Sequence, residues 1–197
     1  GGSVASNSAS AAYCIPGDTT SCNSPVAEWK FDEKTGTNAY DTSGNGKTGT
    51  LTNSPSWSIG KIGSAISFNG SSNYVNLPSL TTTTAPYTVE FWMYPKALSG
   101  IYQTILSMRG SNSYPTFNLA SNNKLLAYAG AEKYKYGTKV FSSNDLNKWW
   151  HVAFTVTDSS SLTNWKVYLN GVDDTGISGG NTGTYYDPSS SGAIGNN

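Results

Sequence analysis

The chain has 197 residues, enough to bury a full core within one domain. Its 12 Lys and Arg balance 12 Asp and Glu, so no charged field exists to hold nucleic acid or an anionic membrane surface. No apolar run reaches the roughly 18 residues of a membrane-spanning helix, and no direct membrane insertion is expected of this segment.

Only 12% of residues are charged, while Gly, Ser, Thr and Asn abound, a surface that suits a secreted, extracellular or cell-surface protein. Residues 1–25 read as a flexible N-terminal linker, because 1–12 are Gly, Ser, Ala, Asn and Val without a hydrophobic period. The chain starts Gly-Gly with no signal-peptide core, which reads as a mature or excised piece of a longer precursor. Cys14 and Cys22 flank Pro16-Gly17, a turn pair that can bring the sulfurs together; a disulfide is expected, and with it an oxidising compartment. Two thiols far from the one His, His151, make a poor zinc site.

From Val26 onward, short runs rich in β-branched and aromatic residues alternate with Gly, Asn, Pro and Ser clusters. They predict strands over 26–31, 47–51, 64–69, 73–77, 87–94, 102–108, 115–120, 124–129, 138–142, 150–157, 164–170 and 191–195. No ten-residue stretch has a period of 3.6, so the fold class is all-β: a two-sheet antiparallel sandwich or jelly roll nearly without helix. Asn170-Gly171 predicts a type I′ hairpin turn, because both residues tolerate positive φ, and Asn122-Asn123 predicts a second hairpin. Thr88-Val-Glu-Phe-Trp-Met-Tyr94 carries apolar residues on both faces and predicts a central strand with both faces covered.

Five segments in order carry a family resemblance: Val26-Ala-Glu-Trp-Lys-Phe-Asp32; Asp41-Thr-Ser-Gly-Asn-Gly46 with Gly49-Thr-Leu51; Gly63-Ser-Ala-Ile-Ser-Phe-Asn-Gly70 with Tyr74-Val75; Tyr87-Thr-Val-Glu-Phe-Trp-Met-Tyr-Pro95; and Trp150-His-Val-Ala-Phe-Thr155 with Val167-Tyr-Leu-Asn-Gly171. Over 26–197 the chain resembles the laminin-G-like jelly-roll domains of the concanavalin A-like lectin/glucanase superfamily. The resemblance implies one domain, 26–197, built as a two-sheet sandwich with a concave face and loop rims. Family members usually follow the strand at Ala193-Ile194-Gly195 with another of the type Gly-x-Ile-Asp-x-Val-x-Ile-Tyr, beside the N-terminal strand. Here the sequence stops at Asn197, so a C-terminal strand is expected to be missing, through truncation or processing or because a neighbouring copy supplies it. The strand at 26–31 would then present an open edge.

Glycoside hydrolases of this superfamily need two carboxylates about 5–9 Å apart across the scissile bond. The comparable strand offers only Glu90, and the next acid, Glu132, falls in a loop, so a non-catalytic module is expected. No nucleophile elbow, Walker loop or His-Glu-x-x-His occurs, and His151 sits where the resemblance implies a structural residue.

Asp41-Thr-Ser-Gly-Asn-Gly46 places side-chain oxygens at alternate positions before a Gly, like the first half of a calcium loop, but its twelfth position is Thr52 rather than Glu. The alternative is an Asx-turn satisfied by its own backbone. Related jelly rolls bind one structural Ca²⁺ with acids near the first strand, which makes Glu28, Asp32, Asp41 and Asn45 the candidate ligands.

Thirteen Tyr and six Trp can fill a core and leave rings on a concave face, where sugar C–H faces stack on aromatic planes. Tyr102, Tyr114, Tyr128, Tyr134 and Tyr136 are the candidate ligand-binding residues, with Lys133 and Lys135 interleaved; the alternative is ordinary cross-strand packing. Asn69-Gly70-Ser71 matches the N-glycosylation pattern. Two functions follow as expectations. One is an extracellular binding or adhesion module recognising a glycan or a surface protein. The other is a structural subunit of a filament or pilus-like assembly, completed by strand exchange with neighbouring copies.

Overall fold

The computed structural model describes residues 25–80, 86–108, 116–129, 133–156, 165–179 and 192–195. Cys14, Cys22, Tyr114 and Glu132 lie outside the described residues.

Alternation of apolar and polar residues, with turns at Gly and Asn, divides the chain into short strands. In chain order they are β1 (Asn38–Ala39), β2 (Gly49–Thr52), β3 (Ser56–Ile59), β4 (Ser64–Ser67), β5 (Tyr74–Leu77), β6 (Tyr87–Met93), β7 (Gln103–Ser107), β8 (Thr116–Leu119), β9 (Leu125–Ala129), β10 (Lys133–Gly137), β11 (Trp150–Val156), β12 (Trp165–Leu169), β13 (Val172–Asp173), β14 (Thr175–Gly179) and β15 (Gly192–Ile194). The one helical piece among the described residues is a 3-10 turn at Ser143–Asp145. One sheet runs β1-β2-β5-β15-β7-β8-β9-β10-β14, a second runs β13-β12-β11-β6, and β3 pairs with β4. Every pairing is antiparallel.

The core lies between the two larger sheets. Along β11, Val152, Phe154 and Val156 are buried while His151 and Thr155 are half-buried, and β12 turns Trp165, Val167 and Leu169 inward. From the facing sheet come Val75, Leu77, Phe117 and Leu125. Phe117 of β8 meets Phe154 of β11 with ring centroids 4.7 Å apart, a direct stitch between layers. Each such side chain contributes about 2 kcal/mol through burial.

Both predicted hairpins form. Asn170 and Gly171 take φ of 50° and 79° between the paired Leu169 and Val172, as a type I′ turn requires. Asn123, at φ 59°, donates its backbone N–H to the Ala120 carbonyl (2.8 Å) and reverses β8 into β9.

Several boundaries differ from expectation. Residues 26–31 form no ladder: Trp29 makes a single bridge to Asp41, and Phe31 enters left-handed backbone at φ 57°, which ends extension. Glu28 already donates its N–H to Asp41 Oδ1 and accepts from Thr42 N, whereas β6 stands last in its sheet order among the described residues. The expected central strand is thus terminal, and Trp92 and Tyr94 are exposed rather than covered. The strand expected at 138–142 lies instead at Lys133–Gly137. Phe141 of that region is buried as a single plug, its N–H donating to the Asn123 carbonyl at 2.8 Å. Strands β1, β3 and β14 carry no strong apolar period and were not foreseen.

Candidate functional site

On β8 and β9 the residues Phe117, Leu125 and Ala127 belong to the core, so Thr116, Asn118, Leu126 and Tyr128 point to the outer side of the nine-stranded sheet. Register then sets two cross-strand rows on that side. One runs Ser107, Thr116, Tyr128, Tyr134, Gly179; the other runs Thr104, Asn118, Leu126, Tyr136. Tyr134 stands between its neighbours, with ring centroids 5.8 Å from Tyr128 and 5.4 Å from Tyr136. Tyr102, on the approach to β7, is hydrogen-bonded to Tyr136 and nearly half exposed. Burial first, then the nearby Tyr102, Tyr128 and Tyr134 phenols, pushes the Tyr136 phenol up to about 12, so it stays neutral. Leu126 is fully buried although it faces away from the core, flanked by Tyr136 across the ladder and Tyr128 along the strand. Of the five tyrosines named from sequence, the structure therefore gathers four into one cluster: an aromatic surface with hydroxyl rims that carries no charge.

Two residues of this face were missed. Asn118 is buried beside the cluster, and Gly179 sits opposite Tyr134, where an added Cβ would collide with the phenol ring. An amide in a strand and a glycine near a strand end carry no period, so nothing in the sequence marks either.

The calcium candidates are arranged around one carboxylate. Asp41 Oδ1 accepts from Glu28 N (3.0 Å) and Ser43 N (2.9 Å), and Oδ2 accepts from Ser43 Oγ and Lys47 N (both 2.8 Å). Partial burial raises the Asp41 pKa, but these hydrogen bonds outweigh it and hold the carboxyl below its ordinary value. Asn45 Nδ2 donates to the Pro25 and Val26 carbonyls, and Glu28 Oε2 accepts from Thr42 Oγ1. Asp32 belongs elsewhere, accepting from Ser64 N at 2.9 Å. With Asp41 surrounded by donors and Asp32 directed to β4, the donor set does not fit a Ca²⁺ ion in this arrangement. Among the described residues no three His, Cys, Asp or Glu side chains form a metal-holding group.

A family model described as the concanavalin A-like lectin/glucanases superfamily, of laminin-G type, matches residues 69–197, about two thirds of the chain. The chain belongs to this superfamily. A solved structure with a similar fold is domain 4 of AbnA, a GH43 extracellular arabinanase from Geobacillus stearothermophilus, in complex with arabinotriose. It is 27% identical, with a TM-score of 0.59, and the match covers 80% of this chain and 77% of that one. No curated protein matches.

Within this lectin/glucanase fold, Glu90 points outward from β6 opposite Ala153, and its carboxylate lies 3.7 Å from His151 Nε2. The rings of His151 and Trp92 stand 5.1 Å apart, so the histidine packs on the outer side of the smaller sheet. Between the sheets, Lys135 is buried beside Phe117, Phe154 and Trp165 and donates to Ser178 Oγ at 2.7 Å. Burial first, then Lys166, lowers its pKa, against an opposing pull from Asp173. The interleaving of Lys with Tyr read from the sequence thus resolves at 134–136 into an inward lysine between two outward tyrosines. No helix among the described residues is long and apolar enough to cross a membrane.

Proposed function

We propose that this domain is an extracellular, non-catalytic carbohydrate-binding module whose saccharide rests on Tyr102, Tyr128, Tyr134 and Tyr136. The observation that carries this reading is the contiguity of the four rings on one outward face, joined by centroid distances of 5.4 and 5.8 Å and by the Tyr102–Tyr136 hydrogen bond. Rings in that arrangement offer C–H stacking planes with phenolic donors and acceptors at the rim. Similarity to an arabinanase domain solved in complex with arabinotriose supports a saccharide as the ligand. The neighbourhood of Glu90 supports a non-catalytic role. Its cross-strand partner is Ala153, and the flanking positions are Thr88, Trp92, His151 and Thr155, so among the described residues of these two strands no second carboxylate stands beside Glu90.

Calorimetric titration with arabinotriose, xylotriose and cellotriose tests the reading. At least one is expected to bind, and the paired substitution Tyr134→Ala, Tyr136→Ala is expected to abolish binding while the far-UV spectrum stays that of the parent. Binding that survives the double substitution would place the ligand elsewhere.

A further inference from the structure

We infer that the ligand of the tyrosine cluster is an uncharged, linear oligosaccharide of four or five units that lies across the strands and extends from the rings toward β15 and β5. This inference rests on the carbohydrate-binding reading above. Direction comes from what stands on either side of the tyrosines in their row. At the β14 end, Gly179 faces Tyr134 with no side chain, and the phenol occupies the space a Cβ would need. The ring therefore lies down over the β14 backbone and terminates the row. On the other side, direct register continues from Tyr128 through Thr116, Ser107 and Ala193 to Asn76.

Along that direction the side chains shrink and then rise again. Ser107 and Ala193 are sunk to 8% exposure, Thr116 is half-buried and Asn76 is exposed. Small residues between a tyrosine wall and an exposed amide make a trough, floored by hydroxyl and methyl groups. From Tyr134 to Asn76 there are five ladder steps of about 4.8 Å, or about 24 Å, which accommodates four or five sugar units at about 5 Å each.

The chemical class follows from what the row lacks. None of these six side chains is an Asp, Glu, His, Lys or Arg, and neither is any of Thr104, Asn118, Leu126 and Tyr136 in the adjoining row. Hydroxyls and amides can exchange hydrogen bonds with sugar hydroxyls in both directions. A uronate unit would leave water for a surface with no cation in either row to receive it, which is unfavourable.

The test is a chain-length series: linear arabino-, xylo- and cello-oligosaccharides of two to six units, and oligogalacturonates of the same lengths, titrated into this chain. Affinity in at least one neutral series should climb about tenfold or more from two to five units and then level off, with oligogalacturonates binding far more weakly. Asn76→Ala and the near-isosteric Thr116→Val, at the far and near parts of the trough, should together weaken the five-unit ligand about fivefold and leave the two-unit ligand unchanged. Gly179→Ala, which displaces Tyr134, should weaken both lengths. Equal affinity at all lengths, equal binding of oligogalacturonate, or indifference to Asn76→Ala with Thr116→Val would overturn the trough while leaving the tyrosine platform standing. Failure of every neutral oligosaccharide to bind would instead overturn the reading beneath it.

Discussion

The Asp41 loop and the tyrosine face are two places where this chain gathers polar side chains, and they use them in opposite ways. At Asp41 two carboxylate oxygens receive four donors from residues 28, 43 and 47, so the loop is consumed by its own hydrogen bonds and fastens the N-terminal segment to β2. On the nine-stranded sheet Tyr134 meets Tyr136 edge to face and Tyr128 at a tilt, with these three rings half-buried and Tyr102 exposed beside them. A carboxylate enclosed by donors is suited to holding structure, and a row of partly exposed rings to receiving a ligand. Both contain the residue types that a sequence reader flags as functional; the difference lies in what remains to be offered after folding.

Breaking the Asp41 cluster should have the largest effect. Asp41→Ala removes the acceptor for three backbone N–H groups and one hydroxyl, and should cost about 2 kcal/mol after allowance for partial exposure. A domain of this size would show that as a melting midpoint lower by about 4–8 °C. A change below about 1 °C would mean that water replaces the carboxylate without loss. Tyr134→Ala should do the reverse, weakening oligosaccharide binding about tenfold or more while shifting the melting midpoint far less than Asp41→Ala, because the ring sits outside the core.

How visible these two regions are in the sequence follows the same physics. Asp41-Thr-Ser-Gly-Asn-Gly46 is legible because an Asx-turn is local: the acceptor and three of its four donors lie within six residues. The Asn170-Gly171 hairpin is legible for the same reason. The tyrosine face depends on partners far apart in the chain, and its central strand is disguised. At β10 the inward position is Lys135, a charged residue where the pattern expects an apolar one, so the period pointed instead to 138–142. Its neighbour β14, Thr-Gly-Ile-Ser-Gly, has two glycines and an exposed Ile177, and gives no strand period at all. The tyrosines could be nominated one by one, but only register between β9, β10 and β14 places Tyr134 between two rings and over a glycine.

Acidification sharpens the contrast by a smaller amount. The Asp41 carboxyl is held below 3.8 in the fold, so its stabilisation is complete above the ordinary carboxylate pKa and disappears as pH falls through the depressed value. Asp145, held at about 2 by Lys139 and Ser142, and Asp173, held at about 2 chiefly by Thr175, act in the same direction. Stability should therefore fall between about pH 4 and pH 2, and Asp41→Asn should flatten the part of that fall belonging to the loop. Saccharide binding should stay level from about pH 5 to pH 8, since Tyr136 titrates near 12 and neither row carries an Asp, Glu, His, Lys or Arg. A binding profile that bends near neutrality would bring in a titrating group outside the face.

The smallest expected effect is that of calcium. A Ca²⁺ ion needs six to eight oxygens at about 2.3–2.6 Å, and to recruit Asp41 it would have to displace donors that already hold both carboxylate oxygens. Melting in millimolar Ca²⁺ and in chelator should therefore give midpoints within about 1 °C, since an ion that does not bind the folded state cannot stabilise it. A rise of several degrees with Ca²⁺, lost in Asp41→Asn, would show that the loop rearranges around the ion. The contrast between a closed structural cluster and an open binding face would then fail at its first term.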